Sequence, residues 1–372
     1  MKFSLPKKEL TRLLDKASMA LPTRSTSNIL MGLLIEIDDT GTMKITGSDN
    51  EIRIEQTVKV GDYEAGRVVL PGKLFVDIIR SMPDEDIIVS CGEEKIASVT
   101  TSTSSFRISS IDADEYPVSD PYIEDKSVKI NKETFIEMIS QTTFAASKVD
   151  SRGVIVGALF DIREDEIIIV ALDGFRMAIA RTGIISEGTE PSKIIIAARI
   201  LNEIVKLIAS PDFNEEEIEI CYNESKRNAM ITAENTRITI SLIKGSFLNY
   251  ENILPQKFLT EAVLDKEEFR HSVERAALMS TDGRNNLVRL KFTENELKIM
   301  AKSDTGILND NIPASLAGPE IEIGFNAKYI IDGLKAIDSE KIIFRLDSSI
   351  RPCTICPEDG EYIYMILPVR IS

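Results

Sequence analysis

The stretch KKELTRLLDKASMAL (Lys7–Leu21) governs how this chain is read, because it returns twice in altered form, as KETFIEMISQTTFAAS (Lys132–Ser147) and KEEFRHSVERAALMS (Lys266–Ser280). Each opens on a Lys-Glu helix start. In the first, Leu10, Leu13, Leu14, Ala17 and Leu21 recur at helical spacing, which predicts one apolar face. Each copy later shows a strand running into a polar turn: MKITGSD ends at Asp49, IIIVALDG holds Asp173 and LKIMAKSD ends at Asp304. A second short helix follows, as PGKLFVDIIRSM (Pro71–Met82), AARILNEIVKLI (Ala197–Ile208) and NAKYIIDGLKAI (Asn326–Ile337). Phe75, Ile78, Ile79 and Met82 form its apolar face in the first copy, and Leu201, Ile204, Val205 and Ile208 in the second. The first helices start 125 and 134 residues apart, the Asp turns lie 124 and 131 apart, and the second helices 126 and 129.

Three markers at one spacing mean three copies of one fold, each of about 120 residues. The period is far above the roughly 20–50 residues of solenoids and propellers. Boundaries are expected in the polar, Pro-bearing stretches SDPYIEDKS (Ser119–Ser127) and NYENILPQKF (Asn249–Phe258), giving domains 1–123, 124–254 and 255–372. Between the helices lie short runs such as Glu51–Val60, Arg67–Leu70, Ile87–Ser90 and Ala97–Thr101, many of them rich in Ile, Val and Thr. Each copy is therefore expected to be α+β, an antiparallel sheet with two helices on one face.

The composition excludes several classes. Of 372 residues, 43% are hydrophobic and 28% charged, a globular balance. The longest apolar run, Ile167–Leu172, falls far short of the ~18 residues of a membrane helix. The start MKFSLPKKEL has no apolar signal region, and four scattered cysteines suit a reducing compartment, so a cytoplasmic protein is expected. Cys353 and Cys356 form a C-x-x-C with no second pair, which reads as two packed or surface thiols rather than a zinc or redox site. His271 is the one histidine, and no phosphate-binding glycine loop is present, so neither catalysis nor a metal or cofactor is expected. A catalytic aspartate would be unique to one copy, whereas a repeated one suits capping of a turn. The run NEEEIE (Asn214–Glu219) reads as solvated surface.

The net charge of −16 at first argues against nucleic acid. Its distribution says otherwise. Lys8, Arg12 and Lys16 form a stripe opposite the leucines, Arg24 follows, and Lys73, Arg199 and Lys328 share one position at the start of the second helix in all three copies. The six helical segments with their flanking loops carry a net +5, which leaves −21 elsewhere.

With basic helices, three α+β copies and no catalytic set, the chain resembles the DNA sliding clamps, and most closely the bacterial DNA polymerase III beta subunit family. The markers span the chain: MKF, PTRSTSNIL, PGKLFVDI, LDGFRMA (Leu172–Ala178), FLNYENILP (Phe247–Pro255), IGFNAKYI (Ile323–Ile330) and PEDGEYIYMILPVRI (Pro357–Ile371). The resemblance implies two chains closing head to tail into a ring of six domains, helices inside, around duplex DNA. Such a ring slides without sequence specificity, tethers the replicative polymerase and makes or breaks no bond. Sparse cations on rigid helices suit a contact that must be weak at each phosphate.

The resemblance assigns Arg24, Lys73, Arg152 and Arg199 to DNA, with Gly153 and Val154 standing where the family often has aromatics. It assigns a pocket for short peptides to Ile155, Leu172, Gly174, Phe175, Arg176, Met177, Leu248, Ile253, Asn326 and Tyr329, with the tail residues Met365, Ile366, Leu367, Pro368, Val369, Arg370 and Ile371. Leu248, Asn252 and Phe175 replace a common Pro, Arg and His there, so peptide preference is expected to differ in detail. The dimer seam is assigned to Phe106 and Ile108 on one side and Leu278 and Met279 on the other. The implied partners are double-stranded DNA, the polymerase catalytic subunit, the clamp loader, repair polymerases and a second copy of the chain. The residues alone leave two alternatives open: an enzyme using the Asp turns with Lys or Arg, and a monomeric peptide-binding scaffold.

Overall fold

A computed structural model describes all residues except 25–26, 93, 118–125, 185–189, 281–285, 305, 359 and 372, so the expected boundary at 123/124 lies outside the described residues. The first copy runs β1 (Lys2–Pro6), α1 (Lys7–Ser18), β2 (Gly32–Ile37), β3 (Thr42–Ser48), β4 (Ile52–Lys59), β5 (Tyr63–Glu64), β6 (Gly66–Pro71), α2 (Gly72–Ser81), β7 (Asp86–Cys91), β8 (Ile96–Thr100) and β9 (Ser105–Ser109). The second runs β10 (Lys126–Asn131), α3 (Lys132–Thr142), β11 (Gly157–Ile162), β12 (Glu166–Leu172), β13 (Arg176–Gly183), β14 (Ser192–Ala197), α4 (Ala198–Ile208), β15 (Glu217–Asn223), β16 (Asn228–Ala233) and β17 (Thr236–Ser241). The third runs β18 (Thr260–Asp265), α5 (Lys266–Ser280), β19 (Leu287–Phe292), β20 (Glu296–Lys302), β21 (Ile307–Pro313), β22 (Ser315–Ala317), β23 (Ile321–Asn326), α6 (Ala327–Lys335), β24 (Lys341–Leu346), β25 (Cys353–Pro357) and β26 (Ile363–Ile366).

The helices bury the faces their spacing predicts, with local corrections. Leu10, Leu13, Leu14 and Ala17 of α1 are buried, but the helix stops at Ser18, short of Leu21. Pro22 disfavours helical backbone at Leu21, and the Ser18 hydroxyl takes the Asp15 carbonyl. Helix α3 ends at Thr142 because Thr142 and Thr143 turn their hydroxyls onto the carbonyls of Met138 and Ile139, at 2.7 and 2.8 Å. In α4 the buried face is Ile200, Leu201, Ile204, Leu207 and Ile208, and Val205 lies at its margin. Cys353 and Cys356 are buried in β25, and burial pushes both thiols up and away from reactivity.

The chain forms two compact units. Met1–Lys132 with Lys206–Leu242 holds one, and Glu133–Val205 with Ile243–Ser372 the other. The first contains a five-stranded sheet, β5-β1-β7-β8-β9, and an eight-stranded sheet, β10-β15-β16-β17-β4-β3-β2-β6. The second contains a nine-stranded sheet, β14-β11-β12-β13-β26-β25-β24-β18-β22, and a four-stranded sheet, β21-β20-β19-β23. Every pairing in the registers is antiparallel, as expected.

The antiparallel sheets are as expected, but they are not confined to single copies. Each copy splits its strands into two groups, and the last strand of one copy completes the sheet of the copy before it. Strand β17 pairs with β4, setting Ile238 opposite Ile54, and β26 pairs with β13, setting Tyr364 opposite Ala178. The exchange caps strands that would otherwise be open edges. Among the described residues, β9 and β21 stay at the ends of their sheets.

The registers also correct the Asp turn. Asp49 Oδ1 accepts the N–H groups of Glu51 and Ile52 at 3.0 and 2.9 Å, and Asp173 Oδ1 those of Phe175 and Arg176 at 2.9 and 3.1 Å. In the third copy the equivalent residue is Ser303, one position before Asp304. Its N–H bonds the Gly306 carbonyl at 2.9 Å, as Asp173 N–H bonds the Arg176 carbonyl at 3.2 Å.

Candidate functional site

The hairpin from β12 to β13 places a buried, multiply bonded arginine in the second unit. Gly174 turns it at φ +91°, a conformation glycine adopts without strain. Arg176 then points into the protein and is almost wholly buried. Its Nε donates to Asp173 Oδ2 at 3.1 Å, Nη1 to Asp332 Oδ2 at 2.8 Å and Nη2 to the Phe144 carbonyl at 3.0 Å. The guanidinium also lies 4.6 Å from the Tyr329 ring centre. Burial opposes its charge, but Tyr364, Asp332 and Asp173 outweigh that and hold its pKa above the ordinary arginine value. A buried cation is tolerated when each of its donors finds a partner, and Arg176 thereby ties β13 to α6.

Around this tie the apolar surface builds up. Phe175 is half exposed and stacks on Tyr329, centroids 6.3 Å apart. The tail continues past β26, with Leu367 N–H bonding the Phe175 carbonyl and Val369 N–H the Gly324 carbonyl, both at 2.8 Å. Leu159, Leu172, Met177 and Met365 form a buried cluster on which Ile155, Phe247 and Leu254 pack. On the segment between Phe247 and Leu254, Leu248 is 51% exposed and Ile253 37%. Water-facing leucine and isoleucine beside such a cluster make an apolar surface of the kind that receives a partner.

The structure therefore brings together most of the expected pocket residues. Leu172, Met177, Met365 and Ile366 are buried beneath the surface, and Phe175, Leu248 and Ile253 stand on it. Asn326 caps α6 by accepting Lys328 N–H at 2.9 Å. Pro368, Val369 and Ile371 are half exposed and Arg370 exposed. Asp332, Phe144 and Tyr364 were missed; Tyr364 donates to the Tyr329 carbonyl at 2.8 Å. Nothing local marks Asp332, whose evident neighbour is Lys328, one helical turn away at 3.3 Å.

Lys73, Arg199 and Lys328 each occupy the second residue of α2, α4 and α6, and all three are exposed, as is Arg24. Arg152, also expected with the DNA-facing cations, makes its contacts at the turn between β12 and β13. Its Nη1 donates to the Asp173 carbonyl at 2.7 Å, and its guanidinium lies 6.0 Å from the Phe175 ring centre.

At the expected seam, Phe106 and Ile108 share one face of β9, but Ile108 is 7% exposed and belongs to the core, while Phe106 is 40% exposed. Leu278 is exposed on the last turn of α5, and Met279 is half-buried. A Cβ on Gly306 would lie 3.1 Å from Met279 Sδ, which ties the end of α5 to the start of β21. Ile307, which opens β21, is exposed.

Comparison with known proteins gives one consistent result. The chain matches the DNA polymerase III beta subunit N-terminal domain over residues 1–120, its central domain over 129–249 and its C-terminal domain over 251–370. It is 29% identical over 381 residues to the beta sliding clamp of Staphylococcus aureus, covering all of this chain and 99% of that protein. Crystal structures of the DNA polymerase sliding clamp from Bacillus subtilis (27% identical, TM-score 0.93) and the DNA polymerase III beta subunit from Thermotoga maritima (26%, TM-score 0.92) each align over 100% of both chains.

Proposed function

The chain belongs to the DNA polymerase III beta subunit family, and from that premise we propose how its own residues do the work of a sliding clamp. It is a non-catalytic processivity factor, a ring that encircles duplex DNA, slides without sequence specificity and tethers the polymerase.

The sharing of strands between successive copies carries the proposal for closure. By register, β9 is equivalent to β17 and β26, and β21 to β4 and β13. Two junctions of the repeat are made within the chain, and the third needs a second chain. Carrying the observed registers across sets Phe106 opposite the partner's Leu308 and Arg107 opposite the partner's Ile307. Each chain then gives β9 and receives on β21, a heterologous contact that a two-fold axis closes. Closure covers both exposed edges and the apolar Phe106, Leu278 and Ile307.

Within the ring, Arg24, Lys73 and Arg199 are assigned to phosphates, with Arg152 bridging that role and the pocket rim. The surface formed by Phe175, Leu248, Ile253, Tyr329 and the tail is assigned to short apolar peptides of the replicative polymerase, the clamp loader and repair polymerases. Domains are assigned to 1–123, 124–254 and 255–372, and the setting is cytoplasmic.

Sedimentation at micromolar concentration tests closure. Twice 41.4 kDa supports it, and a chain that stays at 41.4 kDa overturns it. Encirclement is tested on circular DNA: a loaded ring is retained and leaves once the DNA is linearised, and equal loss from both forms counts against it.

A further inference from the structure

Between the exposed Leu248 and Ile253, Tyr250 turns inward and is buried. Its hydroxyl donates to Asp161 Oδ2 at 2.7 Å, and that carboxylate, on β11, is itself buried. Arg163 Nη2 faces the same oxygen at 3.1 Å, the Tyr250 hydroxyl at 3.0 Å and Glu251 Oε1 at 2.8 Å, while its Nη1 donates to Glu166 Oε1 at 3.0 Å. Lys193 Nζ lies 3.5 Å from Asp161 Oδ2. Ile253 N–H closes a turn onto the Tyr250 carbonyl at 3.1 Å. One buried carboxylate thus fixes the residue that spaces the two apolar side chains.

We propose that Asp161, Arg163 and Tyr250 are positioning residues, a clamp that holds residues 248–253 in the one shape that presents Leu248 and Ile253 to a docking peptide. This rests on the reading of that surface as a peptide site. Phe247 and Leu254 also anchor the segment, but through apolar contact, which has no direction and tolerates sliding. Hydrogen bonds to a buried carboxylate are directional and charge-assisted, so they set a register that packing alone does not.

The repeat supplies its own control. The first copy has an equivalent tyrosine, Tyr116, packed with Leu30, Leu34 and Val69 as Tyr250 packs with Ile155, Leu159 and Ile195. By register, Asp161 corresponds there to Glu36 and Arg163 to Asp38. Glu36 pairs with Lys44 at 3.1 Å, and Asp38 binds Thr40 and Thr42. Among the described residues, the Tyr116 hydroxyl reaches only the Thr46 carbonyl, at 3.5 Å. The fold seats this tyrosine without a clamp, so the clamp serves the surface peculiar to the second copy.

The test uses full-length Tyr250→Phe and Tyr116→Phe, with a fluorescein-labelled pentapeptide ending in leucine and phenylalanine as the probe. Tyr250→Phe is expected to weaken anisotropy-detected binding about tenfold, the loss typical of a hydrogen bond to a charged group. It is also expected to speed amide exchange across 248–253 while the dimer mass holds. Tyr116→Phe leaves both readouts as in the parent. Should Tyr250→Phe fail to fold, Arg163→Gln removes the guanidinium bonds to Asp161, Tyr250 and Glu251 from a more exposed position and carries the same expectation. Parental affinity and parental exchange in the clamp variant overturn the proposal. If the parent binds no peptide, the docking reading fails, and the exchange rates still decide whether the clamp exists.

Discussion

The Arg176 guanidinium and the Asp332 carboxylate, 156 residues apart in sequence, meet at 2.8 Å below the apolar surface. This pair joins the end of one sheet-forming hairpin to the helix of the next copy, and the Phe175–Tyr329 stack lies on top of it.

Removing one partner of a buried pair leaves a charge without compensation, which typically costs about 3–5 kcal/mol. Arg176→Leu is expected to lower the first thermal unfolding transition sharply. Combining it with Asp332→Leu is expected to recover part of the loss, because the stranded carboxylate goes too. Calorimetry of the single and double variants checks both.

The seam register is open to a direct chemical check. Ser241 and Leu367 donate across the two internal junctions to the carbonyls of Glu51 and Phe175. Counting alternate pairs from those bonds puts the 106–308 pair where main-chain bonds are absent and opposing side chains are closest. Phe106→Cys with Leu308→Cys in one chain is expected to give a disulfide-linked ring under mild oxidation, whereas Phe106→Asp shifts the sedimenting mass to 41.4 kDa.

DNA retention and peptide binding are expected to separate. Arg24→Glu with Lys73→Glu removes two exposed cations, so the slope of log affinity against log salt falls by about one for each phosphate that is no longer neutralised. Peptide anisotropy is unchanged. The pair of measurements, made on one preparation, assigns each surface.

Removing the tail from Met365 onward deletes half of β26, where Met365 and Ile366 pair with β13 and β25. Truncation after Leu367 keeps that strand and the Leu367–Phe175 bond. It is expected to weaken peptide binding while the dimer mass holds.

Alkaline titration reports on the buried tyrosines. Burial pushes the Tyr116 hydroxyl up to about 12, against about 10 for an unfolded tyrosine. A raised folded value means its contribution is whole below about pH 10 and is lost as the pH climbs towards 12. Tyr116→Phe is expected to flatten the fall in melting temperature over that window.

Repeat length, helix faces and turn chemistry were legible because each is a local pattern. Leu10, Leu13, Leu14 and Ala17 declare their burial by spacing alone. Failures came where a second local preference competed, as with Pro22 and Ser18 at the end of α1 or the two threonines that stop α3. The third turn was misplaced by one residue because Asp304 resembles Asp49 in sequence, while hairpin register assigns the position to Ser303.

By itself, then, the sequence determined that one α+β unit occurs three times, where its helices lie, and that cations gather on them within an acidic chain. Periodicity and composition carry that information over a few residues at a time. Tertiary structure alone decided that strands pass from one copy to the next, that β9 and β21 are left over, that Ile108 is core while Phe106 is surface, and that Arg152 bonds the Asp173 carbonyl. The strand exchange and the Arg176–Asp332 pair depend on backbone donors and buried charges finding partners more than a hundred residues away, and no local pattern encodes which partner is found.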